Sequence, residues 1–340
     1  MRRRSVLLLG SAAVAAGIVL AIWRPWGTRR DVPPPLPLAA VLKQQQYVEV
    51  PLGRAKNGYL YVTGQAQGQP LLLYLDSGNT DNQLDDAVAV RFKLPRRRAE
   101  VGIIVAKETA PPDLVVLEAL SLSGLQARIE ASVSSLDSAN RIRKANGEPP
   151  YDGILGAPFL KEKAAVIDYG SVQLFLQDGA HQPVPGAAAE RASLLRNSGY
   201  VELPLTLRAS GLPDVTADLN GEPALFVVDT GAQLTSLDQM LADRLKLPQQ
   251  DVPGQTMGLL DGSQIPLRFA SVERLDLGGV SIAIGTAGLM PMAKLNAWRK
   301  EQGYPPWAGL LGAEVLHSLG AVIDFEGSKL FLLDPRHKRG

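Results

Sequence analysis

The sequence predicts an all-β protein, mainly strands with short helices, built from two tandem copies of one unit. The first observation is a repeated segment: residues 47–52, Tyr-Val-Glu-Val-Pro-Leu, recur as residues 200–205, Tyr-Val-Glu-Leu-Pro-Leu, 153 positions later. The second is an Asp-Ser/Thr-Gly triplet that recurs at the same offset. The third is that both copies consist of short apolar runs separated by glycine and polar turns, which is typical of strands.

Two more segments recur later in each copy. Residues 153–156, Gly-Ile-Leu-Gly, match residues 309–312, Gly-Leu-Leu-Gly, and residues 165–168 recur unchanged as residues 321–324, Ala-Val-Ile-Asp. Both matches have an offset of 156, so the second copy gained three residues on the way. A duplication that preserves the order of four segments indicates two copies of one domain.

The repeat also predicts the domain boundaries. We expect a first lobe over residues 47–180 and a second lobe over residues 200–335. Residues 181–199 between them are rich in Ala, Pro and Gly, which is typical of a linker. Residues 31–46 contain four prolines and are predicted to form a stiff spacer ahead of the first lobe.

Residues 1–30 have the pattern of a signal anchor or a signal peptide. Three arginines precede the uncharged run 5–23, and three more follow it. As a helix, this run would be about 28 Å long, close to the thickness of a bilayer's hydrocarbon core. We expect a single-pass cell membrane protein with its lobes on the exported, periplasmic or extracytoplasmic side. Cleavage at the small residues 11–16 would instead give a secreted protein.

The composition excludes several classes of function. Lys and Arg total 35 against 34 for Asp and Glu, so the net charge favours no nucleic acid partner. There is no cysteine, which excludes disulfides and thiol nucleophiles, and the three histidines are too scattered for a zinc signature. The sequence has no phosphate-binding loop and no Gly-x-Ser-x-Gly motif. We therefore expect no metal and no cofactor.

Apolar runs at matching places in the copies predict buried strands. Residues 71–75 and 224–228 are short apolar segments, each followed by an aspartate and a glycine, which indicates a strand that enters a tight loop. Residues 166–176 and 322–333 predict a hairpin near the end of each copy. The aspartates that recur in these hairpins, Asp168 and Asp324, are interpreted as turn hydrogen-bond acceptors.

Two predicted elements are clear in the second copy alone. Residues 236–239, Ser-Leu-Asp-Gln, have the form of a capping box and predict the start of a short helix. Asp261-Gly262 lies between apolar segments and predicts a hairpin turn. The first copy has only residues 107–110 at the place of this turn.

The candidate chemistry rests on the triplets Asp76-Ser77-Gly78 and Asp229-Thr230-Gly231. A single triplet of this kind is a common turn sequence. Here two copies are in register, each directly after an apolar strand, and each is followed about 80 residues later by an apolar-apolar-Gly element. Turns alone do not account for that combination.

This arrangement resembles the pepsin and retropepsin clan of aspartic peptidases, most closely a tandemly duplicated bacterial retropepsin-like aspartyl protease. The resemblance covers nearly everything after the spacer. It implies two retropepsin-like closed-barrel lobes related by a pseudo-twofold axis, with Asp76 and Asp229 as the catalytic pair and a peptide or protein as substrate. It also implies a monomer, because one chain supplies both halves.

The resemblance assigns further residues to the site. The support of the two catalytic loops is assigned to Ser77, Gly78, Asn79, Thr230, Gly231 and Ala232. The second-motif glycines are Gly156 and Gly312. The flap over the substrate is assigned to Leu260, Asp261 and Gly262.

A pair of carboxylates suits this chemistry. Two carboxylates about 3 Å apart cannot both ionise readily, so the pair holds one proton. The ionised member then accepts a proton from water while the protonated member donates to the scissile carbonyl oxygen. The sequence therefore predicts an aspartic endopeptidase that needs no metal.

Two alternatives remain open. Asn79 stands where the family usually has Ala, Ser or Thr, whereas the second copy has the usual Ala232. The Asn79 amide could donate to the carboxylate, or it could mark a copy that has lost catalysis. The first alternative function is therefore a peptide-binding pseudoprotease on the same fold. The second is a homodimer that uses Asp229 only. For Trp298 and Trp307, core packing is favoured over a place in a ligand pocket.

Overall fold

A computed structural model describes most of the chain after the spacer. The described residues are 7–8, 38–56, 58–99, 103–104, 112–178, 184–207, 211–258 and 264–337. The helices in these ranges are α1 (Leu38–Gln44), α2 (Asp86–Arg91), α3 (Asp137–Ala145), α4 (Ala157–Glu162), α5 (Ala187–Asn197), α6 (Gln239–Arg244), α7 (Ala293–Glu301) and α8 (Ala313–Ser318). Since these helices are short and strands dominate, the predicted all-β class is confirmed.

Apart from β1 (Leu7–Leu8), which precedes the first copy, the strands fall into two series, one in each copy. The first series is β2 (Val48–Pro51), β3 (Gly53–Arg54), β4 (Leu60–Ala66), β5 (Gln69–Asp76), β6 (Asn82–Asp85), β7 (Arg97–Arg98), β8 (Ile103–Ile104), β9 (Asp113–Leu122), β10 (Leu125–Ser134), β11 (Gly153–Gly156), β12 (Val166–Asp168) and β13 (Gln173–Leu176). The second series is β14 (Tyr200–Pro204), β15 (Thr206–Leu207), β16 (Pro213–Leu219), β17 (Glu222–Val228), β18 (Ser236–Asp238), β19 (Gln249–Gly258), β20 (Gln264–Val272), β21 (Leu275–Leu277), β22 (Val280–Ile282), β23 (Gly285–Met290), β24 (Gly309–Leu311), β25 (Val322–Asp324) and β26 (Lys329–Leu333). β1 and β8 form a separate parallel pair.

The first lobe is a closed barrel. Its sheet has the order β3-β4-β5-β11-β6-β10-β9-β7, and β4 also pairs with β9 where Gln65 faces Ser121. Six strands therefore form a ring. Along β4 the buried residues alternate with partly or fully exposed ones, as expected for a strand with one face on a core. The closed-barrel prediction is confirmed in this lobe.

The strand pairings of the second lobe do not close into a ring among the described residues. Its sheet has the order β19-β20-β23-β18-β24-β17-β16-β21-β22, with β15 on β16. In the first lobe the single strand β9 closes the ring, whereas here β20 pairs with β23 and the next strand, β21, pairs with β16. Glu273 and Arg274 separate these two strands. The prediction of a closed barrel is thus confirmed for the first lobe only.

The two lobes share a third sheet. Its six strands have the order β14-β26-β25-β12-β13-β2, three from each copy. The central strands β12 and β25 are antiparallel, with Ile167 facing Ile323, and both residues are fully buried. Because equivalent residues of the two copies meet at this point, it lies on the predicted pseudo-twofold axis. Both predicted terminal hairpins, β12–β13 and β25–β26, are confirmed as parts of this sheet.

Two helices lie in segments that were predicted to be irregular. α1 lies in the predicted spacer and α5 in the predicted linker, and they contact each other beside the shared sheet. The side chain of Arg191, from α5, is completely buried. It donates to Asp324 over 2.9 Å and 3.2 Å and to Glu326 over 2.6 Å, and its guanidinium lies 5.5 Å from the ring centre of Tyr47. This arginine therefore ties the linker to both copies.

The predicted capping box is wrong. Residues 236–238 form β18, so helix α6 begins at Gln239. Asp238 is the N-cap residue, but its side chain does not cap this helix. Instead it accepts hydrogen bonds from Met292 N over 3.2 Å and from the Asn296 amide over 3.4 Å. A tertiary contact with the start of α7 has replaced the local cap.

The described part of the chain has no helix with the length and hydropathy of a membrane span. The predicted N-terminal signal or anchor segment, residues 1–30, lies outside the described residues apart from Leu7–Leu8.

Candidate active site

Each triplet aspartate lies at the end of a strand beside the second motif of its lobe. Asp76 is the last residue of β5, and Asp229 directly follows β17. In the first lobe, β11 runs parallel to β5 and pairs Gly156 with Asp76. In the second lobe, β24 runs parallel to β17 and pairs Leu311 with Val228. Because β11 and β24 also pair with β6 and β18 on their other side, each catalytic loop connects two strands that flank the second motif.

The two triplet glycines bring the carboxylates of the opposite lobes together. A Cβ atom on Gly78 would lie 2.4 Å from Cγ of Asp229, and a Cβ atom on Gly231 would lie 2.4 Å from Cγ of Asp76. Non-bonded carbon atoms do not approach this closely. Each loop therefore needs glycine because the other lobe's carboxylate lies directly against its backbone.

Four hydrogen bonds hold the loops to each other. Ser77 N donates to Thr230 Oγ1 and Thr230 N donates to Ser77 Oγ, both over 3.0 Å. The hydroxyl of Ser77 donates to Val228 O over 2.7 Å, and that of Thr230 donates to Leu75 O over 2.9 Å. All of these atoms are buried and the pattern is reciprocal. The loops are thus fixed as one unit across the lobe boundary.

Burial sets the electrostatics of the pair. Asp76 and Asp229 are each only 1% exposed. Gly78 N donates to Asp76 Oδ1 over 3.0 Å, and Gly231 N donates to Asp229 Oδ1 over 2.7 Å. Burial raises the pKa of Asp229 above the ordinary value of an aspartate, while hydrogen bonds from the Gly231 N–H and the Asp76 side chain act in the opposite direction. The pair therefore keeps a proton at a pH where an exposed aspartate has lost it.

The fourth loop residues, Asn79 and Ala232, have the same backbone role. Asn79 N donates to Asp76 O over 3.2 Å, and Ala232 N donates to Asp229 O over 3.3 Å. Their side chains differ, because the Asn79 amide nitrogen is buried and has no hydrogen-bond partner among the described residues. The interpretation that this amide donates to a catalytic carboxylate is therefore not supported.

The second-motif glycines pack against the far ends of the catalytic loops. A Cβ atom on Gly156 would lie 2.1 Å from the carbonyl oxygen of Asp81. Gly156 N donates to Asn82 Oδ1 over 3.0 Å, and Gly312 N donates to Thr235 Oγ1 over 3.1 Å. These contacts place the second motif behind each loop, at the position that the resemblance implied.

The sequence pattern of the family described as Aspartyl protease matches the chain twice, at residues 62–159 and 215–315. This chain belongs to the aspartyl protease family. One match lies in each lobe and the two together span more than half of the chain, so the protein is a tandem duplication of a retropepsin-like domain. No curated protein matches it.

Paired helices support the site of this protease, and the sequence analysis missed them. Asn140 in α3 exchanges two hydrogen bonds with the backbone of Tyr151, of 2.8 Å and 3.0 Å, and Asn296 in α7 makes the same pair with Trp307. Trp307 is buried and its ring nitrogen donates to Asp214 over 2.7 Å, so its interpretation as a core residue is confirmed. The signal was present in the sequence, since both asparagines and both aromatic residues are 156 positions apart.

An arginine in each of these two helices packs against the same aromatic residue that the asparagine binds. The guanidinium of Arg143 lies 3.7 Å from the ring centre of Tyr151, and that of Arg299 lies 3.6 Å from a Trp307 ring. Both arginines are buried. Tyr151 also stacks on Tyr74 with ring centres 5.3 Å apart. A cation over an aromatic ring stabilises such a cluster most strongly away from water.

The hairpin that was assigned as the flap is only partly described. Strands β19 and β20 pair, with Met257 facing Ile265 near their ends. The assigned flap residues Leu260, Asp261 and Gly262 lie outside the described residues, as do residues 107–110.

Asp168 and Asp324 do not belong to the site. Asp168 accepts hydrogen bonds from Gly170 N over 2.8 Å and from the Ser171 hydroxyl over 2.6 Å. Asp324 accepts from Gly327 N over 2.8 Å. Their interpretation as turn acceptors is confirmed. Across the described residues, no cluster of three or more His, Cys, Asp or Glu side chains could hold a metal ion.

The close approach of the loops predicts a large loss of protease activity in the Gly231→Ala variant. We expect at least about a hundredfold loss of protease activity, because the added methyl group must push the Asp76 carboxylate away from Asp229. The matched control is Gly288→Ala in the same lobe, where the new Cβ atom would meet nothing closer than 3.8 Å. The measurement is kcat/KM for both variants. Normal activity in Gly231→Ala would contradict the described loop geometry.

Proposed function

We propose that this protease is an aspartic endopeptidase that hydrolyses peptide bonds with a water molecule activated between Asp76 and Asp229. The observation that carries this proposal is the mutual approach of the two loops, in which each triplet glycine lies against the carboxylate of the other lobe. The reciprocal Ser77 and Thr230 hydrogen bonds support it, because they hold both carboxylates in one fixed geometry.

In the proposed reaction the pair acts as both acid and base. The ionised carboxylate accepts a proton from water, and the water oxygen attacks the scissile carbonyl carbon. The protonated carboxyl group donates its proton to the carbonyl oxygen, which gives a neutral tetrahedral intermediate. Collapse of this intermediate returns that proton to the second carboxylate, moves the proton taken from water to the amide nitrogen, and breaks the C–N bond. The pair then holds one proton, as at the start.

The raised pKa of Asp229 predicts the direction of the pH dependence. Activity requires one proton on the pair, and burial keeps that proton bound above the ordinary titration range of an aspartate. We therefore expect kcat/KM to be highest at acidic to mildly acidic pH and to fall as the pair loses its proton. The measurement is a kcat/KM profile from about pH 3 to pH 9. An activity that rises steadily into the alkaline range would contradict this assignment.

The function is tested by incubating the full chain, purified in detergent, with a diverse peptide library and identifying the products by mass spectrometry. Internal cleavage at mildly acidic pH supports an endopeptidase. Capture of peptides without cleavage at any pH would support the pseudoprotease. A specific activity that rises with protein concentration would support a homodimer that uses Asp229 alone, whereas a constant one supports the monomer.

We propose further that the substrate is an exported or membrane-proximal protein. The support is the uncharged run 5–23 with arginines on both sides, which favours a single-pass anchor with the lobes on the exported side. Release of the protein after signal cleavage is the alternative. Fractionation of cells followed by alkaline carbonate extraction separates these outcomes, since an anchored chain stays with the membrane pellet and a secreted one leaves the cell.

A further inference from the structure

The catalytic loop of the second lobe is held at its far end by a glutamate that the proposed reaction does not use. Glu314 is the second residue of α8 and follows the second-motif Gly312 by two positions. Its Oε1 atom accepts a hydrogen bond of 2.5 Å from Thr235 N. Thr235 Oγ1 in turn accepts from Gly312 N. Since Thr235 lies at the end of the loop that begins with Asp229, the Glu314 carboxyl group connects this loop to α8.

The second oxygen of this carboxyl group is enclosed. Among the described residues, Oε2 of Glu314 is buried without a hydrogen-bond partner, and Glu314 forms no ion pair with a basic side chain. Burial raises the pKa of Glu314 to about 7, although hydrogen bonds from Thr235 and from the first N–H groups of α8 act against it. Ionisation therefore leaves a poorly compensated charge behind the loop.

Two titratable neighbours of Glu314 supply no compensating charge, and the cationic Arg54 acts on both of them without forming an ion pair with Glu314 among the described residues. Tyr169 interacts with it from the shared sheet, and burial keeps the pKa of this phenol well above its usual range, so it stays neutral. His317, one turn further along α8, directs its Nε2 atom to Gly58 O over 3.1 Å. Burial, aided by the nearby Arg54, lowers the pKa of His317 to about 4, so it is also neutral near pH 7. The ionisation of Glu314 is thus the charge change to expect here around neutral pH.

The first lobe has no such carboxyl group. Pro158 stands at the position equivalent to Glu314, at the offset of 156 that relates the second motifs. Asn82 takes the place of Thr235 and accepts from Gly156 N through a neutral amide oxygen. The titratable support is therefore specific to the loop that carries Asp229.

We propose that Glu314 is a positioning residue whose protonated carboxyl group holds the Asp229 loop in its active geometry and whose ionisation displaces that loop. This inference rests on the proposed peptidase function and adds a second titrating group to it. When the buried Glu314 becomes charged, its hydrogen bond from Thr235 N becomes stronger, while the charge itself gains free energy by reaching water. Because the stronger bond keeps Thr235 on the carboxylate, this movement draws the loop away from Asp76. The alkaline limit of cleavage then depends on two protons, one on the catalytic pair and one on Glu314.

The test is the pH profile of kcat/KM for Glu314→Gln beside wild type. Glutamine retains an oxygen that accepts from Thr235 N and cannot ionise. Wild-type activity is expected to fall with a limiting slope of about two decades per pH unit, and the variant with a slope of about one. At pH 8 the variant should keep about tenfold more of its own maximal activity than wild type. Identical profiles for the two proteins would overturn the proposal.

Two further variants separate positioning from folding. Glu314→Ala should lower kcat at every pH with little change in KM, because the loop support is gone while the substrate cleft remains. Pro158→Ala is the matched control in the first lobe, and it should leave both the rate and the slope as in wild type. If Pro158→Ala also reduced the limiting slope from two decades to one decade per pH unit, the steeper slope could not be assigned to Glu314.

A second measurement, which does not depend on peptide cleavage, tests the contact between Glu314 and Thr235 independently of the proposed function. In the Asp229→Asn variant, the Thr235 amide signal in a nitrogen-15 NMR spectrum should titrate near neutral pH, and it should stop titrating when Glu314→Gln is added. If wild type cleaves nothing, the proposed function fails while this titration still tests the contact. If the Thr235 signal does not move between pH 5 and pH 9, the proposal on Glu314 fails even if peptides are cleaved.

Discussion

Asp76→Asn and Asp229→Asn are each expected to abolish peptide cleavage, with a loss of at least about a thousandfold in kcat/KM. An amide cannot accept the proton of the attacking water, and it cannot pass a proton to the scissile carbonyl oxygen. Since each lobe gives one carboxylate to a single buried pair, neither aspartate has a substitute. The measurement is the cleavage rate of a sensitive fluorogenic peptide at mildly acidic pH, with both variants at the wild-type concentration.

The control is a comparison of folding stability, because the loss of cleavage must occur in variants that are still folded. The pKa of Asp229 is raised in the folded protein, so wild type loses stability as the pH rises from the ordinary range of an aspartate through this raised value. Asp229→Asn removes that ionisation and should therefore be at least as stable as wild type at neutral pH. Cleavage that survives in Asp76→Asn but not in Asp229→Asn would show that the first lobe is a scaffold, and activity should then depend on protein concentration.

Arg191→Met is expected to have the largest effect on stability, a loss of about 3–5 kcal/mol in the free energy of unfolding. This arginine is completely buried, and its removal leaves the buried carboxylate of Asp324 without its charged partner. Glu326 and Gln45 also lose a hydrogen bond each. The measurement is the unfolding midpoint and slope in urea, read from tryptophan fluorescence.

Arg196→Met in the same helix is the matched control. The Arg196 side chain is half exposed and pairs with Glu202 at the surface, so its replacement should cost less than about 1 kcal/mol. Equal losses for the two variants would mean that the burial of Arg191 has no special energetic role. A stable Arg191→Met protein that has lost activity would instead indicate that α5 sets the relation of the lobes without limiting their stability.

Repetition made most of this fold predictable. Because equivalent residues recur at an offset of 153 or 156, the alignment of the copies predicts both strand–loop transitions at Asp76 and Asp229. It also predicted the terminal hairpins. An internal repeat is a strong signal, since each local pattern is tested twice in one chain.

What the sequence did not reveal depends on contacts between distant residues. The apparent capping box at residues 236–239 has the right local pattern, but pairing with β23 and the contact of Asp238 with α7 decide its structure. Helix α5 is rich in alanine, and its stability derives from Arg191, whose carboxylate partners lie more than 130 residues away. Such contacts leave no periodic pattern in the sequence.

The shared sheet has a consequence for the time at which proteolysis can begin during synthesis. Strand β26 comes after both aspartates along the chain, and it pairs with β14 and β25 in the sheet that joins the lobes. A ribosome that has finished only the first copy has produced one aspartate and half of a sheet. At that stage the nascent chain therefore lacks the second aspartate, on which the proposed cleavage depends.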